Sequence, residues 1–300
     1  MSRPSSAIGV SLGYSWVPTR ASNDDPATEC EDPPMTGSTG LTRNRTPALV
    51  FFVGVVTLTL PPLSDQQTAL RAAPHQVLYL TQSAGFAHAV LGHSEAVLGR
   101  IGADSGAFDV TVSHDASTVT ADMLDRYDAV VFYTTGELPM RDDQKAALLA
   151  YVRGGGGFVG VHSATDTFYD WPGYLALIGG YFDGHPWRQE VTVRVEDQTH
   201  PSTRHLGASF RIDDEIYQFR QWSRAAVDVL LSLDVGSVDL AASGIKRSDR
   251  DFALAWTRRE GDGRVFYTAL GHRPGVWDDA RFQRHLLEGI RWAMGHDDPS

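Results

Sequence analysis

The segment GGGGFVGVHSATD, residues 154–166, places a histidine directly after a short apolar run. A buried strand that ends on a polar residue often delivers it to a ligand crevice, so His162 is the first candidate for chemistry. The glycines precede the strand and no Lys-Ser or Lys-Thr pair follows them, which argues against a phosphate-binding loop. We expect them to end the preceding helix with a left-handed turn. His162 could serve as a general acid or base, ligate a metal, or only cap local backbone.

The turn after this strand is similar to the elbow on which hydrolases present a nucleophile, yet it offers a poor one. Ser163 lacks the G-x-S-x-G frame, and the single cysteine of the chain, Cys30, precedes the predicted folded domain. A disulfide framework, a zinc ribbon and a cysteine nucleophile are therefore excluded for that domain. Proton transfer by histidine and carboxyl groups is the chemistry that these residue types favour.

Several histidines in turn-like contexts could meet in one site, together with an acid from later in the chain. His185, His200 and Glu215 are the candidate metal ligands, although no H-E-x-x-H spacing specifies an ion, so a divalent metal stays one alternative. Aromatic residues concentrate between positions 171 and 187. These rings could stack on a sugar or form a small core under a long loop; they are Trp171, Tyr174, Tyr181, Phe182 and Trp187.

The elements that must position these residues alternate between strands and helices. Nearly continuous apolar strands separated by amphipathic helices predict a parallel sheet covered on both faces. In such sheets ligands lie at the carboxyl ends of the strands, which here carry His162 and His272. The predicted strands are 76–81, 108–115, 128–135, 157–162, 189–197 and 227–234, followed by a hairpin over 252–272; the predicted helices are 89–102, one beginning at Pro139, and 279–295.

The first part of the chain differs in composition from the rest. Residues 1–34 are expected to be a disordered extension, since they are rich in Ser, Thr, Pro, Asn and Asp without periodicity. Residues 35–73 have the layout of a secretory signal, with Arg43 and Arg45 before an apolar run over 48–60. We expect export to the periplasm or outside the cell; an uncleaved membrane anchor at 48–60 or a buried strand are the alternatives. One domain is predicted over 74–297.

The charge balance limits the partners of the protein. The formal net charge is −11, and the acidic surface has no Lys/Arg clusters. Nucleic acid is therefore not an expected partner, and a membrane is expected only through the N-terminal segment. The pattern of the sequence does not specify an oligomeric state.

Four segments of the predicted domain resemble the ThuA-like family, named for trehalose utilisation. They are GGGGFVGVHSATDTFYDWPGYLALIGGYFDGHPW, VEDQTHPSTRHL, DDEIYQF and GRVFYTALGHRPGVWDDARFQRHLLEGIRWAMG. The resemblance implies an α/β, flavodoxin-like three-layer sandwich with a mostly parallel central sheet, similar to the class I glutamine amidotransferases. It implies that His162 lies near the position of their nucleophilic cysteine and His272 near that of their histidine. Because the domain has no cysteine, amidotransfer is expected to be lost.

The resemblance also implies a role in disaccharide or 3-keto-sugar metabolism. We expect an acid/base enzyme acting on a small carbohydrate, without a cysteine nucleophile; a non-catalytic carbohydrate-binding protein and a metal-dependent hydrolase are the alternatives. The expected catalytic residues are His162, His272, Asp166 and Glu215. The expected substrate-binding residues are His88, Thr165, Trp171, Asp183, His185 and Tyr217.

Overall fold

The computed structural model describes residues 74–296, so the predictions for 1–34 and 35–73 lie outside the described residues. Within 74–296, none of the helices has the length and apolar character needed to cross a membrane. The strands are β1 (His75–Leu80), β2 (Phe108–Ser113), β3 (Ala129–Phe132), β4 (Gly157–Val161), β5 (Tyr181–Phe182), β6 (Trp187–Val195), β7 (Ser209–Ile216), β8 (Phe219–Arg220), β9 (Asp228–Leu233), β10 (Ala253–Glu260) and β11 (Gly263–Thr268). The α-helices are α1 (Leu91–Ser105), α2 (Ala121–Leu124), α3 (Asp142–Arg153), α4 (Pro172–Ile178), α5 (Pro274–Trp277) and α6 (Ala280–Ala293).

Nine of these strands form one mixed sheet, in the order β2-β1-β3-β4-β11-β10-β9-β6-β7. The pairs from β2 to β11 are parallel, and the pairs from β11 to β7 are antiparallel. Every residue of β3 and β4 is buried, as expected for central strands covered on both sides. The predicted α/β fold is confirmed, and its parallel half contains the strand that ends at His162.

Helices cover both faces of β4. A Cβ on Gly157 would meet the backbone of Ala293 on α6, whereas one on Gly160 would meet Ile178 on α4. Because successive residues of a strand point to opposite faces, these two contacts place α6 and α4 on opposite sides of the sheet. The three-layer arrangement follows from this.

The glycine run turns the chain from α3 into β4, as the sequence predicts. Gly155 has a φ of 111°, a backbone conformation that side-chain-bearing residues rarely adopt. The hairpin is also as predicted, with Glu260 paired to Gly263 across a two-residue turn.

The short elements α2, α4, α5, β5 and β8 were not predicted, and two larger elements also differ from the prediction. The helix expected to begin at Pro139 begins at Asp142, because the Gln144 side chain accepts a hydrogen bond from the Arg141 backbone N–H at 3.0 Å and caps the helix there. Strand β7 was not predicted at all. Its consecutive charged residues, 213–215, interrupt the apolar pattern by which a strand is recognised.

Candidate active site

His162 begins the turn after β4 with a φ of 45° and is completely buried. Its Nδ1 lies 2.6 Å from the carbonyl oxygen of Ala269. Because a carbonyl can only accept, Nδ1 carries the proton and Nε2 presents a lone pair. The Tyr217 hydroxyl donates to Nε2 at 2.9 Å, and Nδ1 of His272 lies 3.1 Å from the same atom. The strained turn thus aims one ring nitrogen at groups from two other segments.

Three histidines meet at this point. The ring centroids of His88, His162 and His272 are separated by 5.0, 5.1 and 5.2 Å, so they form a nearly equilateral triangle. One ring nitrogen of each lies within 4.8 Å of the other two. Burial lowers the pKa of His88 to about 4 and holds the pKa of His162 well below its usual range; it also lowers the pKa of His272. All three rings are therefore uncharged at neutral pH.

The loop that carries His88 is fastened to the loop after β3. The Ala84 N–H donates to the Thr135 carbonyl at 2.7 Å, and the Thr135 hydroxyl donates to the Phe86 carbonyl at 2.9 Å. Gly136, with a φ of 75°, allows this approach, because a Cβ there would lie 2.6 Å from the backbone nitrogen of Gly85. The Gly136 N–H in turn donates to the carbonyl of Asp166 at 2.7 Å. These contacts join the segments that follow β1, β3 and β4.

The segment that carries His272 is held by Asp214 on β7. The buried Asp214 carboxyl group accepts hydrogen bonds from the backbone N–H groups of Gly271 at 2.7 Å and His272 at 3.1 Å. Burial raises the pKa of Asp214 to about 7, although the hydrogen bond from the Gly271 N–H opposes the shift. The Tyr133 hydroxyl and the Trp277 indole N–H both donate to the Gly271 carbonyl. His272 therefore projects from a fixed backbone.

Glu215 lies beside the histidines, because β7 places it opposite Arg188 of β6. Its Oε1 is 3.5 Å from His272 Nδ1 and 3.8 Å from His162 Nε2. Its Oε2 accepts from Arg188 Nε at 2.5 Å and lies 3.9 Å from His185 Nε2. A nearly buried carboxylate thus has histidines on one side and a guanidinium on the other.

These groups surround a cavity of about 190 Å³. Asp166 contributes a second carboxyl group, whose Oδ1 accepts from the Tyr169 hydroxyl at 2.5 Å. Burial raises the pKa of Asp166 above its usual value, because it disfavours the ionised form of the carboxyl group. The cavity is lined by Phe86, His88, Asp166, Phe182, His185, Arg188, Glu215, Tyr217 and His272. His162 lies beneath this lining and reaches it through Tyr217 and His272.

Six of the predicted site residues line this cavity, namely His88, Asp166, His185, Glu215, Tyr217 and His272. Thr165 and Trp171 do not line it. The Thr165 hydroxyl lies 3.0 Å from that of Tyr267 in the core, and the Trp171 ring stacks 5.8 Å from Tyr174. For Trp171, the arrangement is the small core under a loop that the sequence left open.

Asp183 and His200 also lie outside the cavity lining. Asp183 pairs with Lys246 at 2.7 Å. His200 Nδ1 lies 2.8 Å from the Ser202 hydroxyl, and its ring packs 5.1 Å from Trp292 of α6. The candidate ligand set His185, His200 and Glu215 is therefore not assembled here: within residues 74–296, the histidines that converge are His88, His162 and His272.

Three residues of the site were not predicted individually. Arg188 and Asp214 depend on the pairing of β6 with β7, and β7 was not recognised in the sequence. Phe86 has 65% of its surface exposed and lies at the mouth of the cavity, 4.9 Å from the His88 ring. Its position directly before the Ala87-His88 pair was the available signal.

The fold and site define an α/β sandwich whose polar crevice lies at the carboxyl ends of the parallel strands. The family model described as trehalose utilisation, ThuA, matches residues 76–293. The chain belongs to the ThuA family.

Solved structures agree with this assignment. A ThuA-like protein from Bacteroides uniformis is similar, with 26% sequence identity, coverage of 74% of this chain and 92% of that chain, and a TM-score of 0.63. A ThuA-like protein from Parabacteroides merdae has 23% identity, coverage of 74% and 90%, and a TM-score of 0.60. A cytoplasmic protein from Salmonella typhimurium, with 13% identity, coverage of 73% and 98%, and a TM-score of 0.50, shares the fold alone. No curated protein sequence matches the chain.

Proposed function

We propose that the protein is an enzyme that acts on a small carbohydrate, of the trehalose or 3-keto-disaccharide class, by proton transfer in this cavity. The observation that carries the proposal is the meeting of two carboxyl groups, Asp166 and Glu215, with several histidines around one cavity. The family's description, trehalose utilisation, supports the substrate class.

The walls and size of the cavity suit one sugar ring. Phe86, Phe182 and Tyr217 offer aromatic surface for the C–H face of a sugar, and the charged groups can bond its hydroxyls. At about 190 Å³ the cavity is smaller than the roughly 300 Å³ at which drug-sized pockets begin. We therefore expect one ring of a disaccharide to be enclosed and the other to lie outside.

A keto group at C3 of that ring would acidify the neighbouring C2–H bond. Glu215, with His272 beside it at 3.5 Å, would take the C2 proton and leave an enolate. The electrons of the enolate then expel the oxygen on C1, and Asp166, whose pKa is raised by burial, would act as the general acid that gives that oxygen its proton. The bond between C1 and oxygen breaks without a covalent enzyme intermediate, which agrees with the missing cysteine.

The test compares turnover and binding of a 3-keto-disaccharide by the wild type, Asp166→Asn and Glu215→Gln. We expect each variant to bind the sugar but to lose about 10²-fold or more in kcat. Asp183→Asn is the matched control, because Asp183 is a carboxylate paired with Lys246 outside the cavity lining. Binding without turnover by the wild type would favour the alternative of a carbohydrate-binding protein. The proposal is refuted if the wild type neither binds nor turns over trehalose or its 3-keto derivative.

A further inference from the structure

The geometry of the histidine triangle points to a metal site, and we propose that His88, His162 and His272 together bind one divalent transition-metal ion such as Zn²⁺. The proposal concerns ion binding and does not rest on the proposed sugar chemistry. Imidazole nitrogens are common ligands of zinc, copper, iron and nickel, whereas magnesium and calcium prefer oxygen. The expected occupant is therefore of the zinc type.

The distances between the ring nitrogens approach those of a tetrahedral zinc site. Zn–N bonds of about 2.0–2.1 Å place two ligand nitrogens about 3.4 Å apart. His162 Nε2 and His272 Nδ1 are already 3.1 Å apart. The His88 nitrogen lies within 4.8 Å of both, so a shift of about 1.4 Å or less in this ring would complete the set.

The surroundings of the three histidine rings favour the binding of a metal cation. His88 is 7% exposed, and its buried Nδ1 has no hydrogen-bond partner. A buried polar atom without a partner is costly, and a bound ion would remove that cost. The Ala269 carbonyl fixes the proton of His162 on Nδ1 and leaves Nε2 free to donate its lone pair, which is the usual outer support of a metal-bound histidine.

The position of the triangle also indicates which kind of metal site it would be. Three protein ligands leave the fourth tetrahedral position open, as in catalytic rather than structural zinc sites. His88 and His272 both line the cavity, and so does Glu215. With an ion bound, His272 would be a ligand, and Glu215 would remain the proton acceptor, as proposed above.

The experiment is a calorimetric titration of the full-length chain with ZnCl₂, after removal of metals by a chelator. We expect the wild type to bind one equivalent, and His88→Asn and His272→Asn to bind at least about 100-fold more weakly. His114→Asn is the control, since His114 is a surface histidine that pairs with Glu95 at 2.9 Å, and it should bind like the wild type. Magnesium chloride should give no binding.

Thermal unfolding separates loss of the site from loss of the fold. Without zinc, His272→Asn should unfold near the wild-type temperature, because this side chain is only half-buried. Zinc should raise the unfolding temperature of the wild type and of His114→Asn but not that of a folded His272→Asn protein. The proposal is overturned if the wild type binds no zinc, or if His272→Asn binds it as tightly as the wild type. Both readouts omit the sugar, so a failure here is distinct from a failure of the proposed function.

Discussion

Substitution of Gly136 by alanine should disturb the loops that hold the histidine site more than it disturbs the central sheet. The φ of 75° at Gly136 places any side chain in a left-handed conformation, which costs about 1–2 kcal/mol. The new Cβ would also lie 2.6 Å from the nitrogen of Gly85 and 2.7 Å from the carbonyl carbon of Ala84, so the two loops must separate.

The hydrogen bonds that the substitution would weaken determine part of the loss in stability. The hydrogen bond from Ala84 to Thr135 and that from Gly136 to Asp166, each 2.7 Å long, lie at this junction. Weakening them adds about 1–2 kcal/mol, since a hydrogen bond contributes about 1 kcal/mol net. The total of about 2–4 kcal/mol should lower the unfolding temperature by roughly 4–16 °C, at about 2–4 °C per kcal/mol for a domain of this size.

Gly155→Ala is the matched control. Gly155 also has a positive φ, 111°, but a Cβ there would have no neighbour within 4 Å. Its cost is therefore conformational strain alone. Differential scanning calorimetry should show the larger loss for Gly136→Ala, and zinc binding should weaken only in that variant, since only Gly136 supports the His88 loop. Equal losses of stability and unchanged zinc binding in both variants would refute the reasoning.

Two further predictions concern Tyr217 and His285. Tyr217→Phe removes the hydroxyl that occupies His162 Nε2, so we expect a loss of about 1 kcal/mol in stability but zinc binding that is unchanged or several-fold tighter, measured by calorimetry; a large loss of zinc affinity would contradict this. Burial lowers the pKa of His285 to about 3 from 6.5 in the unfolded chain, so the stability it contributes is complete above pH 6.5 and falls as the pH drops toward 3. In urea unfolding between pH of about 6 and 4, the stability of His285→Gln should therefore fall less steeply than that of the wild type, by up to about 1.4 kcal/mol per pH unit. Identical slopes would contradict the assignment.

The sequence predicts the parallel half of the sheet well, because apolar strands buried on both faces leave a continuous signal. Strand β4 and the turn at His162 are examples. The sequence does not predict β7, which contains Asp214 and Glu215. The register of this strand depends on its pairing with β6, and no local sequence pattern indicates that pairing.

The residues of the site also fall into two groups, those that the sequence predicts and those that it does not. His162 and His272 can be predicted because both follow strands that end at the same edge of the sheet. Closeness in sequence is a weaker guide, since Thr165 and Trp171 flank this turn yet pack into the core. Arg188 reaches the site only through the cross-strand pair with Glu215, which the sequence alone does not reveal.

Three histidines from separate segments converge in the site, and a crystal structure of the zinc-loaded protein tests this convergence most directly. We expect an anomalous zinc peak bounded by His88, His162 and His272, with three Zn–N distances of about 2.0–2.1 Å. A peak elsewhere on the chain, or a loaded protein in which these rings lie apart, would contradict the account.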